Sequence, residues 1–135
     1  MTHWGATRKP FDLDAARQWI KGVLSVGFMA ALHKAKMVET LDDAQFDKCG
    51  ICGKSMLHGR GRRKRNLEHV WPKGQGGYDG PGNFMAAHVS CNAGKGGQRP
   101  SGCQIIMLVA VCERLDIPVK LKPDMNPWRL PPPRK

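Results

Sequence analysis

Two short pairs of metal-binding side chains constrain this 135-residue chain more than any other feature. Cys49 and Cys52 form a Cys-x2-Cys pair, and His88 and Cys91 form a His-x2-Cys pair. Four soft or borderline ligands is the number that a structural tetrahedral zinc requires. A two-residue gap lets a tight turn aim both side chains at one ion, and Gly50 and Gly53 permit that turn. Free thiols and a surface histidine would leave both spacings unexplained. The pattern therefore predicts one Zn²⁺ held by Cys49, Cys52, His88 and Cys91. His88 is the ligand most open to replacement, by His58 or Cys103. Cys103 and Cys112, set in a mostly apolar stretch, read as buried packing residues.

A metal that ties residue 52 to residue 88 makes the intervening chain fold back on itself. The simplest form is two strands, near 66–71 and 84–89, joined by the glycine-rich loop KGQGGYDGPGN at 73–83, with a helix starting near Cys91. Upstream, Leu13, Ala16, Ile20, Leu24, Phe28, Ala31 and Ala35 recur at helical spacing, predicting one long helix over 12–36 with Asp12 as its N-cap. Thr40 and Asp43 have the spacing of a capping box and predict a second short helix to about Lys48. Helical character returns over Cys103–Asp116. The chain is long enough for one modest core. The expected class is α+β: a helical arm at 1–47, a zinc-bound core at 48–100, a packed C-terminal helix at 101–122 and a basic, proline-rich tail at 123–135.

Lysine and arginine number 22 against 11 acids, a formal net charge of +11. Such an excess calls for a polyanion, either nucleic acid or an anionic membrane. The longest apolar run, Ile105 to Cys112, is too short to span a bilayer. The N-terminus MTHWGATRKP lacks the apolar centre of a signal peptide. These features predict a cytoplasmic protein with no membrane partner, and metal ligation rather than disulfides for the paired cysteines.

Within NLEHVWP (66–72), Glu68 and His69 stand side by side. In extended chain, neighbouring side chains point to opposite faces. The stretch LEHVWPKGQGGYDGPGNFMAAHVSCNAGKG joins this acid–His pair to Pro, Gly-Gly, Asn-apolar, and a knuckle followed by Asn and Lys-Gly. In that order the chain resembles the HNH endonucleases, the family built on a ββα-metal motif, over Cys49 to Gly97. Where many members have His after the last cysteine, this chain has Asn92. That HNN form is similar to phage Holliday-junction endonucleases and several phage-encoded HNH proteins. The flanking helices are not covered by the resemblance.

The resemblance implies a small zinc-stapled ββα core that hydrolyses DNA, encoded by a phage or mobile element (in the host cytoplasm if phage-encoded), with partners in packaging or recombination. Hydrolysis of a phosphodiester needs an activated water and stabilised charge on the phosphate. His69 is the expected general base, with Asn83 accepting the proton of its other ring nitrogen. Glu68, on the opposite face, would bind a catalytic cation with Asn92, and oxygen ligands favour Mg²⁺ or Mn²⁺. The run Arg60, Arg62, Arg63, Lys64, Arg65, together with Lys95, would grip backbone phosphates. The rival of another class is a zinc-stabilised DNA-binding protein without catalysis. Among enzymes the rivals are a nicking or packaging nuclease, a junction resolvase, a restriction enzyme and a homing-type nuclease, the last disfavoured by the small size. The wide apolar stripe could pair two copies, but covering its own zinc module is the commoner use, so a monomer that nicks is expected over a homodimer.

Overall fold

The computed structural model describes residues 11–56 and 65–124. His58 and the phosphate contacts expected of Arg60, Arg62, Arg63 and Lys64 lie outside the described residues, as do the first ten residues and 125–135. The described chain runs α1 (Leu13–Val26), α2 (Ala30–Ala44), β1 (Arg65–His69), β2 (Phe84–His88), α3 (Val89–Lys95) and α4 (Gly102–Leu115). Helices and a two-stranded antiparallel sheet make it an α+β fold.

Asp12 starts α1 as expected, its carboxylate accepting the Ala15 N–H at 3.0 Å. The long helix over 12–36 is instead two helices. Gly27 ends α1 at φ 93°, a conformation that side-chain-bearing residues rarely adopt. Phe28 then leaves the helical path and packs edge-on against Phe84, ring centroids 4.7 Å apart. Beyond the break Ala31 and Ala35 are exposed, and the buried face of α2 is Met37, Thr40, Leu41, Asp42 and Ala44. Thr40 therefore sits inside α2 and opens no second helix. Helix α2 stops where Phe46 and Asp47 turn left-handed, at φ 56° and 61°.

The chain then forms a small hairpin, bridged at Lys48 and Ser55, with the Cys49 N–H on Lys54 O at 2.9 Å. This hairpin covers the edge of β2 that β1 does not use. Gly50 N–H donates to Ala86 O at 2.9 Å, while the Gln45 carboxamide bonds both Ala86 O (2.8 Å) and Ala86 N–H (2.6 Å). A strand edge covered in this way leaves these polar groups of the buried backbone satisfied. All five residues of β2 are accordingly buried. The approach is close enough that a Cβ on Gly50 would stand 2.9 Å from that of Met85.

Ser101 caps α4 through the Gln104 N–H at 3.1 Å. Its Leu108, Val111, Cys112 and Leu115 join Ile20, Val23, Met37 and Leu41 in one core. Cys112 is buried as expected, but Cys103 is exposed, because it lies on the outer side of the first turn of α4. After α4, Lys120 N–H bonds Gly82 O (3.0 Å) and Tyr78 N–H bonds Leu121 O (2.8 Å), which sews the 117–121 segment to the loop between the strands. No helix among the described residues is long and apolar enough to cross a membrane.

Candidate metal centre and histidine site

The ββα unit brings the two short pairs together. His88 is the last residue of β2 and the N-cap of α3, and Cys91 lies in the first turn of that helix. Residues three apart share a helix face, so both look toward the hairpin that carries Cys49 and Cys52. The four ligand atoms lie within 4.8 Å of one another. His88 Nδ1 is 3.4 Å from Cys52 Sγ and 3.6 Å from Cys91 Sγ. Metal–ligand bonds of about 2.3 Å to sulfur and 2.0 Å to nitrogen give a tetrahedral edge of about 3.5 Å. The spacing fits a tetrahedral ion.

Charge and tautomer agree with that fit. His88 Nε2 lies 3.1 Å from Ser55 O, so its N–H donates there and Nδ1 keeps its lone pair for a metal. Backbone N–H groups of Ile51, Cys52 and His88 point at Cys49 Sγ at 3.3 to 3.5 Å, and Lys54 N–H points at Cys52 Sγ at 3.4 Å. Burial, reinforced by the neighbouring Cys49 and Cys52 sulfurs, pushes the Cys91 thiol up to about 12. Burial also acts to raise Cys52, but hydrogen bonds from Lys54 N–H, Cys49 and Cys91 outweigh it and hold that thiol below its ordinary value. Three crowded sulfurs ionise together only around a cation, so metal binding would release protons and stabilise the fold at once. Cys49, Cys52, His88 and Cys91 are thus close enough to hold a metal ion, with a donor set suited to structural zinc.

Strand pairing sets the second site. His69 is paired with Phe84 at the end of β1, and Glu68 with Met85. The two side chains diverge as the alternation predicts. The His69 ring packs edge-on against Phe84, centroids 4.9 Å apart, and Nε2 reaches Asp79 Oδ1 at 2.8 Å. Lys73 Nζ lies 3.3 Å from the other Asp79 oxygen. Burial would raise the Asp79 carboxyl, but His69 and Lys73 outweigh it and hold it below its ordinary value. Asp79 is the partner that the sequence reading missed.

Asn83 is not the partner of His69. Its buried carboxamide accepts the Trp71 N–H at 2.8 Å and donates to Trp71 O (3.0 Å) and Tyr78 O (2.8 Å). It closes the loop between the strands and positions Asp79 only through that loop. Removing it would leave a buried Trp71 N–H unpaired, at a cost of about 1–3 kcal/mol.

The oxygens expected to hold a hard divalent cation do not fit one as they stand. Glu68 is 2% exposed, and its Oε2 accepts both the Lys95 ammonium and Gln104 Nε2, the latter at 2.9 Å. Asn92 donates its Nδ2 to Leu67 O at 3.0 Å, which ties α3 to β1. Lys95, expected to grip phosphate, has a side chain only 7% exposed and points inward. Arg65 is half-exposed and pairs with the buried Asp42. Three described cations that were not singled out from the sequence lie on the aromatic rings that flank the loop. Arg99 and Lys122 lie over the Trp71 ring at 4.9 and 4.6 Å, and Lys120 lies over Tyr78 at 4.6 Å. With exposed Lys73 they ring the loop that carries Asp79.

No family model, no curated protein and no solved structure matches this chain.

Proposed function

We propose that the protein is a zinc-stapled endonuclease that hydrolyses DNA phosphodiester bonds, with His69 as general base. The observation that carries this reading is the divergence of Glu68 and His69 at the end of β1, on a hairpin whose opposite end supplies His88 to the Cys3His cluster. Zinc, when bound, supplies folding energy to the ββα unit and takes no part in the chemistry. His69 Nε2–H donates to the Asp79 carboxylate, which fixes the ring and leaves Nδ1 as the nitrogen that accepts a proton from water. Lys95 donates to His69 O (3.3 Å) and Val70 O (2.7 Å), so the Glu68–Lys95 pair steadies the turn that presents the ring. The net charge of +11 and the cations around Trp71 and Tyr78 suit a nucleic-acid backbone. A monomer with one such site cuts one strand at a time.

The second reading, a DNA-binding protein without catalysis, is favoured by one observation: the Glu68 carboxylate already has a structural occupation in Lys95. Incubation of supercoiled plasmid with zinc-loaded protein and Mg²⁺, beside an EDTA control, separates the two. Relaxed plasmid in the first tube alone supports the nuclease. Retarded but uncut plasmid in gel shift supports the binder.

A further inference from the structure

Lys95 Nζ is surrounded by three oxygens: Glu68 Oε2, Val70 O at 2.7 Å and His69 O at 3.3 Å. The Lys95 and Glu68 side chains are 7% and 3% exposed. A buried carboxylate needs a compensating cation, and a second donor, Gln104 Nε2, lies on the same oxygen at 2.9 Å. Both partners of Oε2 are hydrogen-bond donors. The spacing to Val70 O suits an ammonium, whereas magnesium draws its oxygens to about 2.1 Å. A dication on Oε2 beside this ammonium would place three positive charges against one carboxylate.

We propose that the Lys95 ammonium is the resident cation of the Glu68 carboxylate, and that a divalent cation reaches Glu68 only by displacing it. Lysine and metal therefore exclude each other at this oxygen. The consequence is a nuclease site that carries a positive charge at Glu68 with or without divalent metal. This inference deepens the nuclease reading, but its test reads metal binding and not cleavage. It can therefore fail while the protein still cuts DNA, and can hold in a protein that does not.

The test is titration of the full, zinc-loaded chain with Mn²⁺, following the free-ion signal by electron paramagnetic resonance. Lys95→Gln keeps a donor toward Val70 O while removing the charge. It should bind Mn²⁺ at least about tenfold more tightly than wild type, since one unit charge is removed at contact distance. The gain should vanish in Lys95→Gln/Glu68→Gln, with zinc constant in all variants. Equal affinity in wild type and Lys95→Gln, or a gain that survives loss of Glu68, overturns the proposal. A second measurement on the unaltered chain covers the case in which Lys95→Gln does not fold. The hydrogen-bonded ¹⁵N ammonium resonance of Lys95 should disappear in step with the Mg²⁺-induced shift of the Glu68 carboxyl carbon. A carboxyl that responds to Mg²⁺ while the ammonium resonance stays unchanged overturns it equally.

Discussion

Asp79 Oδ1 stands 2.8 Å from His69 Nε2, reaching back across the glycine-rich loop to the end of β1. The carboxylate does for the imidazole what an orienting acid does for any histidine base: it selects the tautomer and stabilises the ring once it is charged. Asp79→Asn should therefore lower the cleavage rate about tenfold to hundredfold, the worth of one hydrogen bond to a charged group. DNA affinity and zinc content should be unchanged, and Asp79→Glu should restore part of the rate. Single-turnover cleavage beside a binding isotherm checks this; weaker binding at an unchanged rate would assign Asp79 to DNA contact instead.

Metal content is the next expectation. One zinc per chain should survive dialysis against a mild chelator, and Cys49→Ser should lose both the zinc and the fold. The free energy of a structural zinc, about 10–16 kcal/mol in small domains, exceeds the stability of most folds of this size. Elemental analysis with circular dichroism decides it. A folded, zinc-free Cys49→Ser protein would mean that the cluster is not a staple.

The cations around Trp71 and Tyr78 give a third expectation. Replacing Arg99, Lys120 and Lys122 together with Ala should weaken binding to DNA of any sequence. The slope of log K against log salt should become shallower by up to about 3. Because none of these three side chains is itself buried or belongs to the Cys3His cluster, the zinc and the fold should persist. Fluorescence anisotropy at several salt concentrations reads this directly. An unchanged slope would move the DNA track to another face.

Asp42 sets a pH dependence. Burial raises its carboxyl to about 6 from 3.8, with Arg65 pulling it down and Asp47 pushing it up. The folded state thus holds a proton that the unfolded chain has lost between those values. Stability falls as pH rises through this window, and levels off above it. Asp42→Asn removes that slope. In paired urea titrations, the stability of wild type relative to Asp42→Asn should drop between pH 5 and pH 7. The comparison cancels the effect of acid on the zinc site, which both proteins share.

The metal ligands were legible because their geometry is local. A two-residue gap and a turn suffice, and the fold-back follows from the tie between residues 52 and 88. The opposite facing of Glu68 and His69 was legible for the same reason, since strand alternation needs only neighbours. Asp79 was not legible: an acid in a Gly-rich loop has turn-forming uses enough, and only the closure by Asn83 brings it to His69. The break between α1 and α2 escaped because Phe28 keeps helical spacing while leaving the helix, so Gly27 was the sole mark. Lys95 and Arg65 read as phosphate contacts because a sequence shows charge but not direction. Lys95 turns inward and the half-exposed Arg65 pairs with a buried acid, their partners lying 27 and 23 residues away.

The central claim rests on His69, and one comparison tests it most directly: single-turnover cleavage of supercoiled plasmid by wild type and His69→Ala, both folded and zinc-loaded, with Mg²⁺. The account predicts that wild type accumulates nicked circles before linear DNA. His69→Ala should bind the plasmid equally well and cut at least about 10²-fold more slowly, the scale of a lost general base. Cleavage by His69→Ala at the wild-type rate would contradict it, as would a zinc-loaded wild type that leaves plasmid intact.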